Sequence, residues 1–369
     1  MAWTSLHAKI HRTIRNRHLF APHEHLLVAL SGGQDSLCLI KLLVDLQVKW
    51  KWKLAIAHCD HRWREDSEAN ADHVKNLATS WDLPFHLQIA TDPVNSEADA
   101  RNWRYRVFRE IAEDYDYKYI VTGHTSSDRA ETLIYNLIRG TGADGLQSLN
   151  WERSLGEKTM LVRPLLEITR EQTGKFCQDL DLPVWVDSTN QNLQYPRNRI
   201  RQQLLPYLAA NFNPQVESHL SHTAELLRAE VEYLEQIAHQ LRLQALTKCE
   251  NGDLRLNRHL LKQQPLALQR RVIRQILQEA LPQTPNFDHI EKITDLINAP
   301  NRSQSDPFPG GSIAIVENAS YSTTNSNPKR KRKLEWATTH LENSRKYGQQ
   351  TGLCNRPSPE PTWQITRKC

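Results

Sequence analysis

Short apolar runs alternate with amphipathic stretches through the first half of the chain. His25 to Ser31 carries Leu26, Leu27, Val28 and Leu30 with no polar face between them, the pattern of a strand buried on both sides. Residues 35–48 then place Leu39, Leu42, Leu43 and Leu46 at helical spacing. The same alternation continues, with strands expected at 53–58, 85–89 and 119–123 and helices at 68–81, 97–114 and 128–139. A weaker strand at 160–162 and a helix at 170–180 complete the series, and Leu6, Ile10 and Ile14 mark an amphipathic helix at the N-terminus. Strands separated by helices imply βαβ units, so the expected fold class is α/β, with a parallel, Rossmann-like sheet covered on both faces.

The pattern changes near Ile200. Leu220, Ala224, Leu227, Val231, Leu234, Ala238, Leu241 and Ala245 repeat at spacings of four and three, one apolar seam. Such a seam suits either a packing arm between domains or an ordinary core-facing helix. Helices near 266–281 and 287–297 and a short strand at 312–317 indicate a small α+β piece. After Tyr321 the chain turns to Ser, Thr, Asn and Pro and then the run Lys329 to Lys333, read as a disordered basic tail. The expected division is therefore an α/β domain over 1–205, a helical linker or arm over 206–250, an α+β domain over 251–321 and a tail over 322–369.

Length and composition narrow the class. The 369 residues exceed one ordinary core, and 39% hydrophobic content suits a water-soluble protein. No apolar run reaches the roughly 18 residues of a membrane span. The formal net charge of +5 favours an anionic partner such as nucleic acid. Six cysteines, Cys38, Cys59, Cys177, Cys249, Cys354 and Cys369, include no C-x-x-C pair, so neither a zinc knuckle nor an iron–sulfur site is written here. They read as reduced thiols in a cytoplasmic compartment. Arg12, Arg15 and Arg17 faintly resemble a transit peptide, which keeps an organelle open, but the amphipathic helix is the preferred account of them. Monomer and homodimer both fit.

The sharpest chemical feature is Ser31-Gly32-Gly33-Gln34-Asp35-Ser36, between a strand and a helix. Glycines there let the backbone approach a ligand, helix-start amides point at an anion, and two serines add hydroxyl donors. No Lys-Ser or Lys-Thr follows the glycines, so this is not a Walker loop. The segment resembles the PP-loop of the N-type ATP pyrophosphatases, which cleave ATP between the α and β phosphates and pass AMP to an acceptor oxygen.

Four further segments, in order over roughly the first 200 residues, resemble the tRNA(Ile)-lysidine synthase family. They are Ala57-His58-Cys59-Asp60-His61-Arg62; Glu97-Ala-Asp-Ala-Arg101-Asn-Trp-Arg104-Tyr105-Arg106-Val-Phe108; Gly123-His124-Thr-Ser-Ser127-Asp128-Arg129-Ala130-Glu131-Thr132; and Arg163-Pro164-Leu165-Leu166 with Asp187, Asn190 and Arg197-Asn198-Arg199-Ile200-Arg201. Ser127 stands where the family pattern has the first of two aspartates. Locally the third segment also reads as a helix start, with Ser126 or Ser127 as cap and Asp128 and Glu131 as favourable first-turn charges.

The resemblance implies a ligase joining L-lysine to C2 of the wobble cytidine of an isoleucine tRNA with a CAU anticodon, through an adenylated base. It implies ATP held by Ser31, Gly32, Gly33, Gln34, Asp35, Ser36, His58 and His124, and magnesium near Asp35. Asp128 and Glu131 become the candidates for holding lysine, and Arg101 and Arg201 for phosphate or carboxylate contacts. The helical second half would grip tRNA. A tRNA sulfur transferase shares the loop but needs paired cysteines. A small-molecule synthetase would not need the arginine-rich segment, and an RNA-binding module would perform no ATP chemistry.

Overall fold

The computed structural model describes residues 3–63, 65–91, 96–186, 191–249, 253–317 and 362–367. These fall into two compact units, Met1–Val231 and Glu232–Cys369. The division lies inside a helix, within the stretch 206–250 expected as a helical linker or arm.

In the first unit, α1 (Ser5–Asn16) buries Leu6, Ile10 and Ile14, as its spacing predicts. A parallel series follows: β1 (His25–Ala29), α2 (Gln34–Trp50), β2 (Lys53–Asp60), α3 (Ser67–Ser80), β3 (Phe85–Ile89), α4 (Glu97–Asp114), β4 (Tyr119–Val121) and α5 (Ser126–Ile138). Next come α6 (Ala143–Leu146), β5 (Glu152–Ser154), β6 (Met160–Val162) and α7 (Arg170–Asp179). The sheet order is β3-β2-β1-β4-β6-β5, and only β5 runs antiparallel to its neighbour. Leu26, Leu27 and Val28 are fully buried, which is why β1 lacks alternation. The order reverses between β1 and β4, so connections leave their carboxyl ends in opposite directions and open a crevice there. No apolar run marks β5 in the sequence, because it is a three-residue edge strand with all its residues exposed.

The unit closes with α8 (Pro196–Arg199), one π-helical turn (Ile200–Leu204) and α9 (Leu205–Asn211). Helix α10 (Val216–Ala245) carries the predicted seam, and Ala224 and Val231 are buried in this half.

In the second unit Ala238, Leu241 and Ala245 join a core with Val272, Ile273, Ile276 and Ile293. Its elements are β7 (Leu246–Lys248), β8 (Leu254–Asn257), α11 (Arg258–Lys262), α12 (Leu266–Ala280), α13 (Phe287–Leu296), β9 (Ser312–Val316) and β10 (Thr362–Arg367). The sheet order is β7-β8-β10-β9, with β10 antiparallel to both neighbours. The reading of 322–369 as disordered tail therefore fails for Thr362–Arg367. Six residues have too short a period to stand out beside a polar segment, and only pairing with β8 and β9 makes them a strand. The Lys329–Lys333 run lies outside the described residues.

Candidate active site

The loop between β1 and α2 begins where the strand leaves the sheet. Gly32 has φ +87°, a left-handed conformation that glycine alone adopts without strain, and a Cβ there would stand 3.1 Å from Asn70 and Trp185 side-chain atoms. Gly33 occupies the N-cap of α2 with no side-chain capping bond, so the helix-start amides stay available. The Ser36 hydroxyl accepts from the Ser31 amide at 3.2 Å and donates to the Gly33 carbonyl at 3.0 Å, closing the loop on itself. Asn70, with its amide oriented to satisfy both contacts, donates to the Ser31 carbonyl at 3.2 Å.

This loop opens into a cavity of about 440 Å³, within the range of small-molecule sites. Ser31, Asp35 and Ser36 line it from the loop, and His58 and Asp60 from the end of β2. Arg101, Arg104, Tyr105 and Phe108 line it from one face of α4, the face that spacings of four and three predict. Gly123, His124 and Asp128 line it from the β4–α5 junction, and Arg197 and Asn198 from α8. Five segments distant in sequence thus meet at the switch point of the sheet. Gly123 is the tightest approach, since a Cβ there would fall 2.9 Å from the backbone of Asp35 and Ser36.

Asp35 accepts from Arg170 at 3.0 Å and from the Thr173 hydroxyl. Burial raises its pKa, and Arg170 opposes the shift. Gln34 turns away from the cavity and donates to the Arg170 carbonyl at 2.7 Å and the Thr173 hydroxyl at 3.2 Å. Its side chain ties α2 to α7, which leaves only its backbone at the loop.

The cap of α5 is Thr125, one residue earlier than the sequence suggests. Its hydroxyl accepts from the Asp128 amide, and its own amide donates to Asp128 Oδ2 at 2.8 Å. Asp128 is thus capping residue and cavity residue at once. Burial works against its charge, but His124, the Thr125 amide and Arg201 outweigh it and the carboxyl lies below its ordinary range. His124 accepts or donates at 2.9 Å to Thr122, and burial pushes it down to about 3, so its imidazole is neutral at pH 7.

Arg201 projects from the π-helical turn. Its Nε and Nη2 meet Glu131 at 2.6 and 2.8 Å, a bidentate fork, and Nη2 reaches Asp128 Oδ1 at 3.5 Å. Burial pushes Glu131 up while Arg201 pulls it back, and the pairing raises Arg201 against its own burial. The two short contacts decide for a charged pair. Glu131 does not line the cavity; Asp128 does.

Arg101 stacks over Tyr105 at 5.5 Å and Arg153 over the same ring at 5.0 Å. Burial raises the Tyr105 phenol, but Arg101, Arg163 and Arg153 overcome it and its pKa falls. Ser127 donates to Glu217 of α10 and accepts from the Arg170 amide at 2.9 Å. Asp187 and Asn190 lie outside the described residues. Arg170 and Thr173 were not found by sequence reasoning, because nothing local to α7 signals a partner for Asp35 135 positions away.

Hard oxygen donors suit magnesium, which needs only one or two carboxylates when phosphates supply the rest. Asp35 and Asp128 both line the cavity, and the charge of Asp128 raises Asp35, so the two carboxylates fit such an ion. Among the described residues no group of three His, Cys, Asp or Glu forms a self-sufficient metal site.

A parallel sheet with a glycine-rich anion loop at its switch point is the architecture of a nucleotide-binding α/β domain, and the family model described as a PP-loop domain matches residues 4–208. A second profile, the TilS substrate binding domain, matches residues 256–319. The chain is 66% identical over 329 residues to the tRNA(Ile)-lysidine synthase of Nostoc sp., covering 86% of this chain and 96% of that protein. It is 52% identical over 323 residues to the synthase of the same name from Synechocystis sp., covering 86% and 97%. This chain belongs to the tRNA(Ile)-lysidine synthase family. A chloroplastic tRNA(Ile)-lysidine synthase of Zygnema circumcarinatum is 36% identical over 326 residues, covering 77% of this chain and 78% of its own. Among solved structures, the U34-tRNA thiolase of Methanococcus maripaludis shares the fold, with TM-score 0.52 and 16% identity over 60% of this chain and 78% of its own. No described helix is long and apolar enough to cross a membrane.

Proposed function

We propose that this chain joins lysine to C2 of the wobble cytidine in an isoleucine tRNA with a CAU anticodon, at the expense of ATP. The observation that carries the reading is one cavity shared by the anion loop, the arginines of α4 and the Asp128 carboxylate. The amides at the start of α2, with the Ser31 and Ser36 hydroxyls, hold the pyrophosphate of ATP. His58 and His124 flank the nucleotide, and Arg101 contacts phosphate. Magnesium, when bound at Asp35 and Asp128, supplies charge neutralisation for the departing pyrophosphate.

The cytidine O2 attacks the α-phosphorus and pyrophosphate leaves, so O2 becomes part of an AMP leaving group. The lysine ε-amine then attacks C2, and AMP departs with that oxygen. The ammonium must lose a proton before it attacks, and Asp128, one of the carboxylates lining the cavity, holds the amine in place. Glu131, engaged on both oxygens by Arg201, anchors that guanidinium beside Asp128. Helices of the second unit hold the tRNA by shape and phosphate contacts. The cytoplasm or an organelle stroma would each suit this chemistry.

Sulfur transfer fits less well. Cys59 reaches the cavity, but burial pushes its thiol up to about 12, which leaves little thiolate at neutral pH. Incubation with labelled lysine, ATP and transcripts bearing CAU or GAU anticodons, followed by nucleoside analysis, tests the proposal. Lysine should enter only the CAU transcript. ATP turnover with no lysine in either RNA would overturn it.

A further inference from the structure

Beside the catalytic cavity lies a second concavity of about 680 Å³, between the carboxyl end of α5 and the segment from α8 to α9. Its floor is Ile200 and Leu204, its walls Tyr135, Ile138 and Tyr207, and Arg199 stands at its edge. The floor continues into a small core of Ile134, Ile200 and Leu205. Tyr135 packs against that core as well, but Ile138 is 68% and Tyr207 57% exposed, and Phe212, in edge contact with Tyr207 at 6.0 Å, is 72% exposed. These are large apolar surfaces left to solvent within one patch.

Charge distinguishes the patch from an ordinary protein-docking face. Residues 191–216 contain no acidic residue and carry Arg197 and Arg199, Arg201 being turned inward to Glu131, and residues 132–143 contain Arg139 and no acidic residue. Arg139 and Arg197 both lie over the Tyr135 ring, at 5.4 and 5.8 Å. Exposed rings interleaved with guanidinium groups are what unstacked bases and their phosphates bind. An apolar protein segment would leave those arginines without partners.

Position adds a second argument. Arg197 and Asn198 of α8 line the catalytic cavity, whereas Pro196 and Arg199 of the same helical turn line this groove. A single strand that enters the cavity across α8 brings its next base to the groove.

We propose that this groove receives a nucleotide adjacent to the modified cytidine, with the base against Tyr207 and its phosphate at Arg199. The inference rests on the reading of the cavity as the site where a tRNA base is modified. It assigns to Tyr207 and Ile138 a role in positioning the RNA and none in bond making.

The test uses the full chain and anticodon stem-loop RNAs carrying 2-aminopurine at either neighbour of the wobble cytidine. Fluorescence should be quenched at one of the two positions on binding, and Tyr207→Ala should abolish that quenching while Tyr207→Phe retains it. In turnover, Tyr207→Ala should raise the KM for tRNA about 5- to 150-fold, the range expected for loss of one base–aromatic stack. The KM for ATP and for lysine and the thermal midpoint should not move. Absence of quenching at both positions in the wild-type chain would overturn the proposal. So would a concentration-dependent dimer, seen by sedimentation, that Tyr207→Ala disrupts without touching RNA binding. Because quenching is read without turnover, a chain that binds and quenches but makes no lysidine would refute the proposed reaction and leave the groove's role standing.

Discussion

Gly123 offers the cleanest test of how the sheet builds the site. A methyl group added there falls 2.9 Å from the Asp35 carbonyl carbon and oxygen and from the Ser36 nitrogen, all backbone atoms at the start of α2. Carbon needs about 3.5 Å, so the end of β4 and the anion loop must part by roughly 0.5 Å. Overpacking of this kind costs about 1–3 kcal/mol. For a unit of this size that corresponds to a melting temperature lower by roughly 2–12 °C. The catalytic effect should be larger than the stability effect, because a 1 Å misplacement of reacting groups costs about a hundredfold. Gly123→Ala should therefore lower kcat for lysidine formation by roughly tenfold or more. Gly142→Ala is the control: Gly142 has φ −77° and nothing within 4 Å of a Cβ, so its variant should stay near wild type. Thermal scans and single-turnover kinetics on both variants decide the matter. If Gly123→Ala melts and turns over like Gly142→Ala, the close approach does not organise the loop.

Four other outcomes follow from the same geometry. Asp35→Ala should abolish AMP release while circular dichroism stays unchanged, since its partner Arg170 is one-third exposed and can turn to water; release near the wild-type rate would remove Asp35 from the chemistry. Arg201→Met strands the buried Glu131 carboxylate and should cost about 3–5 kcal/mol in urea unfolding, most of it restored by adding Glu131→Gln, because a lone buried charge costs more than an absent pair. Glu225 accepts from Arg129 and Trp151 at 3.0 Å, and although burial opposes its charge, Arg228, Arg129, Trp151 and Arg17 hold it down to about 2. A depressed carboxyl stabilises fully above its ordinary value of 4.5 and loses that contribution as pH falls toward 2, so Glu225→Gln should flatten the acid limb of the stability curve in that window; an unchanged limb would show the network to be inert. Cys59→Ala should leave lysine transfer intact within about twofold, given its raised thiol, and a folded variant that binds ATP yet cannot modify tRNA would revive sulfur chemistry.

Local pattern alone determined much of this protein. Buried parallel strands announce themselves as unbroken apolar runs, and helices by their period, so β1 to β4, α1 to α5 and the seam of α10 were legible from the chain. The spacing of Arg101, Tyr105 and Phe108 placed them on one face, and the glycines after β1 marked the anion loop, because backbone conformation is a near-neighbour property. What tertiary structure decided were the pairings. Arg170 reaches Asp35 across 135 positions and Arg201 reaches Glu131 across 70, so no local signal couples them. Thr125 rather than a serine caps α5, and Gln34 faces α7, because packing against α7 fixes where each side chain finds a partner. The π-helical turn that aims Arg201 inward and leaves Arg199 at a groove is a register shift, invisible to a sequence period. Thr362–Arg367 became a strand only through β8 and β9, since a strand's hydrogen bonds come from neighbours that the sequence holds far away.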